Sequence, residues 1–150
     1  MKSPAPLRVE VLIIAGNRRE CEELRNIFGH TNWILHCVTD LAGAKAFWGS
    51  RPVPIVVCDA ELSDGTWVDV IDAGAVLAEP PEVLVCGPAM NATLGMRVFE
   101  AGGFDILSTP FDRDQVLRSI SLAFRKWQDV RNGRIPCARS RTRRCAGSAA

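Results

Sequence analysis

Six cysteines are present, but none stands in C-x-x-C spacing, and His30 and His36 are the only two histidines. A structural zinc site therefore has little to be built from. No apolar run approaches the ~18 residues of a membrane span, and Met1–Glu10 lacks the apolar stretch of a secretion signal. The cytoplasm is the expected compartment, and no membrane association is expected. No catalytic dyad is apparent, and Gly87-Pro88-Ala89 is too short of glycine to cradle a phosphate, so no enzymatic activity is expected. Residues 131–150 hold six arginines and no acid, so the net charge of +1 splits into +6 there and −5 over residues 1–130. An acidic domain thus carries a basic tail. The tail has no aromatic for base stacking and no helix-turn-helix pattern. Nucleic acid is not an expected partner except through Arg139, Arg141, Arg143 and Arg144.

What is present is a regular alternation. At 150 residues the chain suits one domain with a proper core. Residues 1–7 are Pro-rich and read as disordered or extended, residues 8–130 as the domain, and residues 131–150 as a disordered tail. Val9–Ala15 is apolar and β-branched, a first strand. Arg18–Phe28 reads as a helix with Cys21, Leu24, Ile27 and Phe28 on one face and Gly29 suited to a left-handed C-terminal cap. Trp33–Val38 is a second strand, and Thr39 or Asp40 can cap a helix that runs to Trp48 and stops at Gly49.

Val53–Cys58 is the third strand. Trp67, Val68, Val70, Ile71 and Leu77 form the stripe of the next helix, which Pro80-Pro81 terminates. Glu82–Cys86 is a fourth strand, and a helix from Met90 or Asn91 to Glu100 closes at Gly102-Gly103. Phe104–Ser108 is a fifth strand, and Thr109-Pro110-Phe111 is a tight turn open to a cis proline. Asp112 caps a last helix with Val116, Leu117, Ile120, Phe124 and Trp127 on its apolar side. Five strand–helix repeats with short connections predict an α/β fold: a doubly wound parallel sheet with right-handed crossovers.

The chemistry gathers at Ile55–Gly65 (IVVCDAELSDG), where an apolar strand ends on one carboxylate, Asp59. Ligands of open α/β sheets lie beyond the carboxyl ends of the strands, which is where Asp59 falls. The neighbouring residues read more plainly. Asp64-Gly65 is turn chemistry, and Cys58 and Cys86 are small buried hydrophobes. His30 is a solvated residue after a helix, and His36 is half-buried in a strand. Trp48 and Trp67 read as core or helix-face packing.

The five repeats, the aspartate before Leu-Ser-Asp-Gly and the Pro110-Phe111 pair resemble bacterial response-regulator receiver domains over about residues 8–128. The resemblance implies the flavodoxin-like fold of the chemotaxis receiver. It also makes Asp59 the phosphoacceptor, taking a phosphoryl group from a histidine kinase. The remaining family positions depart from the pattern. Two adjacent acids that help hold Mg²⁺ are matched by Ala15 and Gly16, followed by Asn17. The hydroxyl residue after the fourth strand is Gly87, the lysine after the fifth is Thr109, and the aromatic switch residue is Ile106.

Mg²⁺ is anchored by one or two carboxylates in octahedral oxygen geometry, so Asp59 alone is expected to hold it weakly, with Glu61 as a substitute ligand that could reach back. Phosphoryl transfer rests on positioning and charge neutralisation, and each lost electrostatic contact is worth roughly 3–4 kcal/mol. The expected function is that of a receiver protein of a two-component phosphorelay with impaired Mg²⁺-dependent phosphorylation at Asp59. The alternative is a phosphorylation-independent pseudo-receiver that acts as a protein–protein interaction module. Expected partners are a histidine kinase or another signalling protein, with a homodimer through the face running from the fourth strand to the fifth helix. With no further domain after residue 130, output would come from a partner.

Overall fold

The structure is a computed structural model that describes residues 9–88 and 90–136. The expectations for residues 1–7, and for the arginines at 139, 141, 143 and 144, lie outside the described residues. Twelve elements follow in chain order: β1 (Glu10–Ile14), α1 (Arg18–Phe28), β2 (Ile34–Val38), α2 (Leu41–Ser50), β3 (Ile55–Asp59), β4 (Glu61–Leu62), β5 (Gly65–Thr66), α3 (Trp67–Ala75), β6 (Glu82–Gly87), α4 (Ala92–Glu100), β7 (Asp105–Ser108) and α5 (Arg113–Arg131).

Five strands form one parallel sheet in the order β2-β1-β3-β6-β7. This is the doubly wound sheet expected from the repeats, in the flavodoxin-like form that the receiver resemblance implies. The strands are apolar throughout because both faces are covered, as parallel sheets require. Alternate residues feed two separate cores. Leu12, Ile14, Val56, Cys58, Val83 and Val85 pack with α2, α3 and α4 on one face. Val11, Ile13, Ile55, Val57, Leu84 and Cys86 pack with α1 and α5 on the other. Trp48 and Trp67 lie in the first of these cores. No helix among the described residues is long and apolar enough to cross a membrane.

Several local expectations are corrected. Gly29 ends α1 in right-handed geometry (φ −58°), because its N–H simply continues the ladder to the Arg25 carbonyl. Gly102 (φ 101°), after α4 where the sequence placed a helix stop, and Gly133 (φ 76°), after α5, are the glycines with positive φ among the described residues. Helix α3 ends at Ala75, so Leu77 lies past it, and Val68 faces solvent. On α5 the fully packed face is Val116, Ser119, Ile120, Ala123 and Trp127, with Leu117 at its margin. The third and fourth strands each extend one residue further than expected, so Asp59 and Gly87 are themselves strand ends. Thr109-Pro110 is a cis peptide.

Two features were not foreseen. The turn after Asp59 contains a small antiparallel hairpin, β4–β5, with Glu61 opposite Thr66 and Leu62 opposite Gly65. Cys21 and Cys37 are joined by a disulfide, so Cys21 contributes a cross-link to β2 rather than only an apolar contact.

Candidate functional site: a carboxylate pair and a thiol at the strand ends

Strand register brings the site together. Asp59 on β3 stands opposite Cys86 on β6, the neighbouring parallel strand. From β1 the chain passes through Ala15, which is buried, and Gly16, which is exposed, into α1. Asn17 caps that helix, its side-chain oxygen accepting the Arg19 N–H at 2.9 Å. The cap fixes the first turn, in which Glu20 is the third residue. Because β1 is adjacent to β3, that turn places Glu20 beside Asp59.

The result is one cluster: Glu20, Asp59 and Cys86, whose ligand atoms all lie within 4.8 Å of one another. The Cys86 Sγ is 3.5 Å from Asp59 Oδ1 and 3.7 Å from Glu20 Oε2. One S–H proton serves two acceptors. Burial, with the hydrogen bond and negative charge of Asp59 acting in the same direction, pushes the Glu20 carboxyl up to about 8. Near neutral pH the pair therefore keeps a proton, carried on Glu20. The Cys86 thiol, which is fully buried beside these acids, is pushed well above its ordinary value and stays protonated.

Glu20 corrects the expectation that Asp59 stands alone. Sequence spacing put Glu20 on a helix without saying which strand the helix faces. The available signal was its place in the first turn of a helix that leaves the strand next to the Asp59 strand. Glu61 lies exposed on β4, and among the described residues it is not part of the ligand cluster.

The family positions fall as follows. Gly87 is buried, and a Cβ added there would come within 2.9 Å of the Met90 methyl, so Met90 fills the space a hydroxyl side chain would need. Thr109 donates its backbone N–H to the Gly87 carbonyl at 3.0 Å. Ile106 is half-buried against α4, where a Cβ on Gly95 would lie 3.4 Å from Ile106 Cδ1. Asp64 is more than a turn residue. Its two carboxylate oxygens accept the N–H groups of Leu41 and Ala42, at 2.9 and 3.0 Å, at the N-terminus of α2. Those backbone hydrogen bonds hold its carboxyl below the ordinary range. His30 is exposed, and His36 is half-buried with its Nε2 3.1 Å from Glu10 Oε1.

Mg²⁺, the ion that the receiver resemblance implies, needs hard oxygen donors. Glu20 and Asp59 would supply two carboxylates once Glu20 loses its proton, whereas the Cys86 sulfur is a soft donor unsuited to it. The fit is thus through the carboxylate pair alone.

No protein-family model and no curated protein matches the chain. Solved structures do. The signal receiver domain of an HD domain-containing protein from Pseudomonas fluorescens Pf-5 superposes with a TM-score of 0.77 at 17% identity, covering 87% of this chain and 97% of that one. The signal receiver domain of a putative LuxO repressor protein from Vibrio parahaemolyticus gives 0.74 at 19% identity, covering 81% and 94%. The beryllofluoride-activated NtrC4 receiver domain dimer gives 0.72 at 20% identity, covering 79% and 98%. The chain has the fold of response-regulator receiver domains. At these identities the likeness is one of fold.

Proposed function

We propose that the chain is a receiver protein of a two-component phosphorelay, with Asp59 as its phosphoacceptor and with impaired Mg²⁺-dependent phosphorylation. The observation that carries this reading is the position of Asp59 at the end of β3, beside a second carboxylate in a receiver fold. An Asp59 oxygen would take the phosphoryl group from a kinase phosphohistidine, whose ring nitrogen keeps the bonding electron pair and picks up a proton. Mg²⁺, when bound, supplies charge neutralisation at the phosphoryl oxygens. Glu20 and Asp59 would hold it, and Glu20 must first give up its proton. Thr109 stands where the family has its lysine and Gly87 where it has its hydroxyl residue, so neither of those two groups assists and the transfer is slow. The protein is not an enzyme in this reading. It works in the cytoplasm, and a histidine kinase or other signalling protein is its partner.

A second reading is favoured by Met90 and Ile106. With Met90 in the space beside Gly87 and Ile106 packed against Gly95, the family's switch pair, a hydroxyl residue and an aromatic at these two positions, is missing. The chain would then act as a phosphorylation-independent interaction module. Its contact face would be the groove of about 370 Å³ lined by Gly95, Met96, Phe99, Phe104 and Ile106, where a second copy could dock. The exposed side chains of Met96 and Phe99 stand at this groove.

Incubation with acetyl phosphate and Mg²⁺, followed by intact mass, separates the two. The first reading expects a slow phosphoryl adduct that Asp59→Asn abolishes. A folded protein that forms no adduct and does not take up beryllofluoride leaves the interaction module.

A further inference from the structure

The Cys21–Cys37 disulfide joins the end of the first turn of α1 to β2, an edge strand of the sheet, across a sequence separation of 16. The fold does not need it to bury α1, whose buried side chains are Leu24 and Phe28, both after Cys21. The preceding residues have no such anchor. Arg18, Arg19 and Glu22 are exposed, and Glu20 and Cys21 are half-buried. The Asn17 cap bonds the helix to itself. The first turn is therefore held to the sheet by two things, the disulfide and the contact of Glu20 with Asp59 and Cys86. That second contact rests on one side chain, so the disulfide is the covalent tie between this turn and β2.

The sulfurs are also placed to react. Cys37 is exposed, so a thiol can approach it from solvent. The Arg25 guanidinium lies 3.4 Å from the Cys37 sulfur and 3.6 Å from the Cys21 sulfur. A fixed positive charge beside both sulfurs stabilises whichever leaves as thiolate and speeds exchange in both directions. Cys58 and Cys86 differ in every respect: both are fully buried, and burial raises both thiols above their ordinary value.

We propose that Cys21–Cys37 is a reversible redox site, exchanging with a dithiol reductant, that sets how firmly Glu20 is held against Asp59. A reductant thiolate attacks the exposed Cys37 sulfur. The Cys21–Cys37 bond breaks, and its electron pair leaves on Cys21 beside Arg25. The second reductant thiol then resolves the mixed disulfide, freeing Cys37 and leaving the reductant as its own disulfide. Two electrons and two protons pass to the protein. The reduced chain keeps α1 docked through Leu24 and Phe28 but frees the turn that carries Glu20. In a reducing cytoplasm a disulfide of this kind is a sensor rather than a staple. The effect on phosphorylation rests on the phosphoacceptor reading of Asp59, whereas the redox exchange and the loosening do not.

The full chain, purified without reductant, is equilibrated in graded mixtures of reduced and oxidised dithiothreitol, alkylated, and read by peptide mass and amide hydrogen exchange. Cys21 and Cys37 should become labelled together, while Cys58 and Cys86 stay unlabelled. Amide exchange over residues 18–22 should rise about tenfold or more, while residues 11–14 and 55–58 are unchanged, the signature of local opening. Reoxidation should restore the slow exchange, and the double variant Cys21→Ser/Cys37→Ser should match the reduced form without reductant. Arg25→Gln should slow the approach to equilibrium several-fold. A folded protein whose bond resists dithiothreitol, or whose residues 18–22 exchange equally in both states, overturns the proposal. Acetyl phosphate labelling is then compared in the two states. A rate that differs between them supports control of the site, and equal rates overturn that control. No adduct in either state removes the phosphoacceptor reading and leaves the redox site to stand on the labelling of Cys21 and Cys37 and on amide exchange.

Discussion

Replacing Glu20 by glutamine should stabilise the protein, by an amount that grows as pH rises from 4.5 toward 8. In the folded chain the Glu20 carboxyl is raised from 4.5 to about 8 by burial and by Asp59. The folded state therefore holds this proton over a pH range in which the unfolded chain has released it. Stability contributed by the group declines as pH rises from 4.5 toward 8 and stays low above that. A glutamine amide has no such proton to lose and keeps a similar shape. At 1.36 kcal/mol per pKa unit the full shift would amount to roughly 5 kcal/mol. The side chain is only half-buried, and solvent screening reduces that ceiling to about 1–2 kcal/mol. For a chain of this size the corresponding change in melting midpoint is about 2–8 °C.

The assay is thermal and urea unfolding of wild type and Glu20→Gln at pH 5.5, 7 and 9, in chelator and without reductant. The gap should be small at pH 5.5, most of its full size by pH 7 and level by pH 9. A gap that is constant with pH, or a variant less stable at pH 9, would show that Glu20 does not share a proton with Asp59.

Two further outcomes follow from packing and capping. Gly103→Ala should cost about 1–3 kcal/mol in urea unfolding, because its methyl would meet Val98 Cγ1 at 2.5 Å and the Val98 carbonyl oxygen at 3.0 Å. An unchanged midpoint would mean that the α4–β7 connection yields freely. Asp64→Ala should speed amide exchange at Leu41 and Ala42 and lower the melting midpoint at pH 7. Its carboxyl is held low by two backbone donors, so the stability it brings is present above the ordinary carboxylate range and disappears as acid protonates it. Wild type and variant should therefore converge on acidification, and a gap that widens instead would refute the cap.

The sheet was readable because its strands are continuous β-branched runs such as Ile55-Val56-Val57, a pattern that only burial on both faces produces. The helix stops at Gly102 and Pro80-Pro81 were readable from backbone chemistry. Glu20 was not, since a helical period says which residues share a face but not which strand that face meets. The disulfide left no mark for the same reason: Cys21 and Cys37 come together only once α1 lies over β2. The β4–β5 hairpin has two residues per strand, too short for alternation to register. Gly29 misled because a glycine after a helix permits a left-handed turn without requiring one.

The hairpin and Asp64 have a consequence for recognition. Asp64 reaches across 23 residues of sequence to α2, and the hairpin links Glu61 to Thr66, so the segment after Asp59 is bound at both its tip and its base. That loop is already ordered before anything arrives at the strand ends. A partner or phosphodonor approaching Asp59 from that side meets a preorganised rim. It does not bear the roughly 1–2 kcal/mol per residue that fixing a floppy loop would subtract from its affinity.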